Sequence, residues 1–376
     1  MNGKFQQSLL FIALLAFPFL ANGQNGDLNW LLGNRVIEFH KTTREPEATT
    51  GPVVLTGPGA VVENPVTGEI LFYTDGVNVY DGTNQPMPNG TGLTADVTFN
   101  QPVVVGQVPG NPDQYYILTN SSAGTIEVAI VDMSLQGNPA AVPLGEVISK
   151  NASVSGLTNQ SEGMVTVPHA NGTDFWLITH TAGTTTYNVT HVTPTGFTTT
   201  AVTLVGLIQE VGNIAYNPAT NQFAVAPSEP NRNVEILNFD PASGTLSLEA
   251  DLPLTSVTTT AGVYDVEWSP SGEFLYLSGF NAAGQPDLLQ YDLANISVPP
   301  PTALITPQSV LPQPSSVTQS FGLQMGPDST LYHLYEQGGV IRMGMLTSPD
   351  SSVTAGVGYN ATAFPGTFTV PQFSSG

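Results

Sequence analysis

Val266-Glu267-Trp268-Ser269-Pro270-Ser271-Gly272-Glu273-Phe274-Leu275-Tyr276-Leu277 decides the fold of this chain. A run of strand formers enters a Ser-Pro-Ser-Gly turn, and an aromatic and aliphatic run leaves it. The phrase recurs as Asn64–Glu69 before Ile70–Tyr73, Gly110–Gln114 before Tyr115–Leu118, and His169–Asp174 before Phe175–Ile178. It returns as Asn217–Gln222 before Phe223–Ala226 and Gly326–Thr330 before Leu331–Leu334. The copies are spaced by roughly 45–60 residues, the period of an array of small β-sheets.

Outward from each turn the pattern continues. A strand precedes it, such as Gly212–Tyr216, and an apolar run closed by Asp follows, ending at Asp81, Asp132, Asp240 and Asp292. With a weaker outer strand, this is the four-stranded blade of a β-propeller. One blade cannot bury both of its faces, so the copies must pack in a ring. Six blades are legible from about 61 to 352. Residues 30–57 and 354–376 hold further strands. The expected fold is therefore all-β, with seven four-stranded blades and a ring closed by N- and C-terminal strands. In that closure Trp30 to Leu55 pair with strands drawn from Ala355 to Phe373. Six blades with strand exchange is the alternative.

Lys4, the apolar run Leu9–Leu20 and the small residues Ala21-Asn22-Gly23 read as an export signal over 1–23. Residues 24–376 then form a single propeller domain, and a secreted or cell-surface location is expected. No other segment approaches a membrane span. The Pro-rich stretch Val298–Pro314 reads as a surface loop, because proline cannot donate to a ladder. Long loops around Gln136–Ser161 and Val298–Ser320 are where function would sit.

Seven basic against 29 acidic residues give a net charge of −22, which argues against a nucleic-acid partner. The absence of cysteine excludes disulfides, thiolate catalysis and Cys-bound zinc. No nucleophile elbow, His-Glu-x-x-His, phosphate loop or EF-hand loop occurs. The eight Asn-x-Ser/Thr sequons barely exceed chance.

Carboxylates remain the candidates for chemistry, because acid–base and glycosidic reactions need them in pairs. Asp75, Glu162, Asp265 and Glu267 lie in or beside expected inner strands, which line a propeller's channel. His169 joins them as a candidate partner of Glu162 and Glu267. The competing reading gives each carboxylate a purely structural bond to the backbone of a neighbouring blade. No cofactor is expected; Ca2+ is the ion that such oxygen ligands would suit.

Several motifs resemble the WD40-like β-propeller of large exported proteins of gliding-motility-associated or PKD-domain type. They are Asn29-Trp30-Leu31-Leu32-Gly33-Asn34, Gly68-Glu69-Ile70-Leu71-Phe72-Tyr73-Thr74-Asp75-Gly76-Val77, and Met87-Pro88-Asn89-Gly90. His169–Trp176, Val266–Gly272, Leu323–Asp328 and the terminal Val370-Pro371-Gln372-Phe373 match as well. Such proteins usually continue into immunoglobulin-like modules and a sorting domain, whereas this sequence ends at Gly376. The resemblance implies a non-enzymatic surface module binding extracellular proteins or glycans. Self-assembly into a fibre or layer is the alternative, and a channel-centred glycan or lactone hydrolase or lyase is the second.

Overall fold

The computed structural model describes residues 28–229, 232–252, 263–281, 284–294, 308–311 and 316–373. The expected export signal lies outside them, as does most of the Pro-rich stretch. Seven antiparallel sheets make a seven-bladed propeller. The first blade is the three strands Asn29–Leu32, Arg35–Phe39 and Pro46–Thr50. Six four-stranded blades follow in chain order, over 60–91, 103–153, 165–203, 211–252, 265–309 and 319–360. One short 3-10 turn, Val353–Ala355, is the only helical element among the described residues.

The recurring turns work as their residue types dictate. In the second blade Asn64 Oδ1 accepts from the N–H groups of Val66 and Thr67, at 2.9 and 3.1 Å. Asn217 Oδ1 does the same for Ala219 N at 2.9 Å. Each hairpin then needs one residue in the left-handed region. Gly68, Gly172 and Gly272 fill that place at φ 75°, Asn221 at φ 53° and Ser329 at φ 62°. The strand-closing aspartates are also structural. Asp132 accepts from Ser134 N at 3.0 Å and Ser134 Oγ at 2.6 Å. Asp240 holds Ala242 N and Ser243 Oγ at 2.9 and 2.6 Å. The Ser134 and Ser243 hydroxyl bonds hold these two carboxyls below their ordinary range.

The core lies between blades. Trp176 and Val189 of the fourth blade pack on Phe223 and Phe239 of the fifth. Ile236 of the fifth packs with Trp268 and Tyr291 of the sixth. Each such side chain contributes about 1.5–3 kcal/mol by leaving water. No single sheet supplies both surfaces, so the blades stabilise each other.

The chain ends meet to close the ring, by a different contact from the one expected. Thr369–Phe373 lies between the seventh blade and the first, where the first blade lacks an innermost strand. Gly322 N donates to Pro371 O at 2.9 Å, and Asn34 N donates to Thr369 Oγ1 at 3.1 Å. Trp30 makes edge contacts with Phe373, Tyr332 and Phe39, at centroid distances of 5.2, 5.2 and 4.7 Å. Arg35 Nη2 reaches Pro365 O at 2.6 Å, and its guanidinium lies over Phe368. Among the described residues no ladder bond joins this segment to Asn29–Leu32; the β-bridge just before it, Phe368 to Ile341, goes to the seventh blade. Proline at 365 and 371 explains this, since neither residue can donate to a ladder. Closure therefore rests on apolar side chains and a few polar clasps.

The expected loop Gln136–Ser161 contains the outer strand Glu146–Ser153 of the third blade. Its alternation is weak because most of its residues face solvent.

Candidate functional site

The innermost strands Val165–Pro168, Val211–Asn217, Asp265–Trp268 and Gln319–Met325 surround a pocket of about 890 Å³ on the channel axis. Its mouth is ringed by the recurring hairpin turns, including His169–Gly172, Asn217–Ala219, Ser269-Pro270 and Gly326-Pro327. Asn100, Gln101 and Pro102, on the loop leading into the third blade, form part of its wall.

That loop reaches across the channel. Gln101 Nε2 donates to Ile214 O at 3.1 Å, and Gln101 Oε1 accepts from Ile214 N at 2.9 Å. A side chain of the third blade thus bonds like a strand to the fifth. Asn100 Nδ2 reaches Tyr264 O, beside the sixth blade, at 3.3 Å. We predict that Gln101→Ala costs about 1–3 kcal/mol, because it strands both polar groups of Ile214, a residue 1% exposed. Thermal denaturation reads this as a fall of about 2–6 °C.

Asp265 and Glu267 are two residues apart on one strand, so they share a face. Both reach toward the next blade. Asp265 Oδ2 accepts from Leu323 N at 2.8 Å, and Glu267 Oε2 from Met325 N at 3.4 Å. Each also accepts from the following residue's N–H, Val266 at 2.8 Å and Trp268 at 2.8 Å. The structural role weighed from the sequence is therefore present. Glu267 is only half-buried, however, and both residues line the pocket. Burial pushes the Glu267 carboxyl up to about 7, against the lowering effect of its N–H donors. Burial, with the charge of Glu267, holds Asp265 well above the usual carboxylate range.

The other expected residues separate. His169 is at the mouth, where its Nδ1 accepts from Asn171 N at 2.9 Å. Its ring stacks on Trp176 and His191 at 5.2 and 4.7 Å, and His191 pairs with Asp174 at 3.1 Å. Glu162 does not line this pocket; it accepts from Asn100 N at 3.2 Å, beside the loop that crosses the channel. Burial raises its carboxyl, and Asp96 and Glu210 add to the rise. Asp75 does not line this pocket either. It follows Ile70–Thr74, the second strand of its blade, and accepts from Val77 N, Asn78 N and Thr56 Oγ1 at 3.0, 2.7 and 3.2 Å. The expected meeting of Glu162 with His169 and Glu267 thus does not occur in this pocket. Among the described residues no three His, Asp or Glu side chains come together as an ion's ligands, so the Ca2+ reading gains no donor set.

Sequence reasoning missed Asn100, Gln101, Arg44 and Gln372, all of which line the pocket. Asn100, Gln101 and Arg44 are loop residues that no repeat or motif marks, and Gln372 stood in the terminal Val370–Phe373 motif with nothing to place it in a pocket.

The raised carboxyls set a pH dependence. Glu63, bonded by Asn29 Nδ2 at 2.8 Å, is also pushed up to about 7 by burial. A carboxyl whose folded pKa exceeds its ordinary value stabilises the fold below that ordinary value. The contribution is lost as pH rises through the folded value. For Glu63 and Glu267 the window runs from 4.5 to about 7. Each contributes up to ~3 kcal/mol. The melting temperature should fall by about 5 °C or more between pH 5 and pH 8. A Glu63→Gln/Glu267→Gln double variant should flatten that slope, and melting curves against pH check it.

No family model matches the chain, and no curated protein is similar to it in sequence. Solved structures are similar in fold. A candidate 6-phosphogluconolactonase from Bacteroides uniformis has a TM-score of 0.52 at 16% identity, covering 90% of this chain and 96% of its own. The periplasmic gluconolactonase of Pseudomonas aeruginosa has 0.50 at 12%, covering 92% and 97%. The lectin BP39L of Burkholderia pseudomallei has 0.50 at 13%, covering 93% and 98%. At such identities the likeness carries the β-propeller fold and not an activity. It nevertheless corrects the expectation of a non-enzymatic adhesion module without turnover. That expectation took a motif-free propeller to be a binding scaffold, and this fold also belongs to proteins named as lactonases. The gliding-motility or PKD affiliation is not shown.

Proposed function

We propose that the protein hydrolyses lactones of sugar acids in its channel pocket, with Glu267 as the general base. The observation that carries this reading is a half-buried carboxyl in the pocket wall, held at about 7. A base is most effective when its pKa lies near the working pH. In the proposed step the Glu267 carboxylate takes a proton from water as the water oxygen bonds to the lactone carbonyl carbon. The ring C–O bond then breaks, and Glu267 returns the proton to the departing alkoxide oxygen. Asp265, bonded through its two oxygens to Val266 N and Leu323 N, holds the strand that carries Glu267 against the next blade. The fold neighbours named as lactonases lend support without transferring their substrates.

A panel of five- and six-membered sugar lactones, followed by acid release in a pH-stat, tests this. Turnover above the spontaneous rate supports the reading, and none across the panel removes it. We also read the chain as exported, on the strength of Lys4, Leu9–Leu20 and Ala21-Asn22-Gly23. Mature protein beginning near Gln24 is the expected result of N-terminal sequencing, and retained Met1–Gly23 on exported protein contradicts it.

A further inference from the structure

We propose that Gln324 is a second catalytic residue of the pocket, whose side-chain amide donates to the lactone carbonyl oxygen as that oxygen takes up negative charge. The inference rests on the lactone-hydrolysing reading and supplies what that step still lacks. A general base alone leaves the developing oxyanion without a partner, and donors aimed at such an oxygen are usually the largest single contribution to catalysis.

Gln324 stands beside the base. It lies on the innermost strand of the seventh blade, two residues before the turn at Gly326, and Glu267 lies on that of the sixth, two residues before Ser269. The two therefore occupy one level of neighbouring blades. Their backbones meet there: the peptide joining Gln324 to Met325 presents its N–H to Glu267 Oε2 at 3.4 Å. Alternation along the strand turns Leu323 and Met325 into the core shared with the sixth blade, and Gln324 to the other face. Gly322 shares that face, and Gln372 of the terminal segment packs against it. The base and the amide thus leave the same stretch of backbone in opposite directions. That suits a base acting through water, because the water attacks the carbonyl carbon while the donor holds the carbonyl oxygen.

The amide is also free. Gln324 is half-buried and lines the pocket, and among the described residues its side chain makes no hydrogen bond. Gln101, by contrast, spends its amide on Ile214 and Asn100 on Tyr264 O, while Asn217 Nδ2 and Gln372 Nε2 are sealed in the wall. Asn213 sits four residues before its turn, level with Asp265 and one pleat deeper than the base.

As the water oxygen bonds to the carbonyl carbon and Glu267 takes the proton, the C=O π electrons move to the carbonyl oxygen, which accepts from Gln324 Nε2. When C=O re-forms, the ring C–O bond breaks and Glu267 returns the proton to the leaving oxygen. Gln324 neither gains nor loses a proton.

Steady-state hydrolysis of the panel's best lactone by Gln324→Leu and Gln324→Glu tests this. Leucine keeps the bulk and removes the donor, so kcat should fall at least ~10-fold with KM changed by less than about threefold. Glutamate sets a second carboxylate beside the base, so the midpoint of the kcat–pH profile should rise by at least ~0.5 unit. Both variants should melt with the unaltered protein, since the amide has no bond to lose. A kcat kept within about twofold in Gln324→Leu, a loss confined to KM, or an unmoved midpoint in Gln324→Glu overturns the inference and leaves hydrolysis standing. Absence of turnover in the unaltered protein removes the hydrolytic reading and this inference with it.

Discussion

A chain ending at Phe368 should melt about 10 °C or more below the full-length protein, in a single cooperative step. Thr369–Phe373 fills the place of an innermost strand that the first blade does not make for itself. Removing it uncovers Trp30, Leu32 and Tyr332, which are now at most 2% exposed. It also takes away the buried side chains of Val370 and Phe373. Gly322 N loses its acceptor and the seventh blade gains an open edge. Because each blade's core lies on its neighbours, the damage spreads around the ring. Trp30→Ala should act at the same seam from the other side, costing about 3–5 kcal/mol. A truncated protein that melts with the full-length one would show that the seam does not hold the ring.

The second large effect concerns chemistry. Glu267→Gln should reduce lactone turnover by at least ~10²-fold while leaving the fold in place. Glutamine keeps the shape and an oxygen that accepts from Trp268 N, giving up the long 3.4 Å bond from Met325 N. What it loses is the proton-accepting carboxylate. Asp265→Asn should be milder for catalysis, since both Asp265 oxygens are engaged by backbone N–H groups and it is not the proposed base. It will cost stability, because its carboxyl accepts from Leu323 N and Val266 N inside a buried seam. The ratio of the two effects on kcat separates a base from a positioning residue.

The blades were legible because short-range chemistry repeats. Asn64, Asn217 and Ser269 open turns whose left-handed residue is Gly or Asn, and Asp132 and Asp240 close strands by binding the next turn. Each of those bonds spans a few residues, so spacing alone reveals it. The seam was half legible. Trp30 and Val370–Phe373 stood out as apolar ends, but Pro365 and Pro371 make packing rather than pairing the outcome. The site was least legible. Asp265 and Glu267 could be placed on one strand face from their spacing. Asp75 follows a second strand rather than an inner one, and that difference depends on strand order within the blade. Gln101 bonds Ile214 across more than a hundred residues, a relation that no local pattern carries.

The most direct measurement of the account is the rate of sugar-lactone hydrolysis against pH, for the unaltered protein and for Glu267→Gln, corrected for spontaneous opening. The account predicts a kcat that rises through about pH 7, as the Glu267 carboxyl ionises, and a flat residual rate in the variant. Absence of turnover in the unaltered protein, or a variant that keeps both the rate and the pH profile, would contradict it.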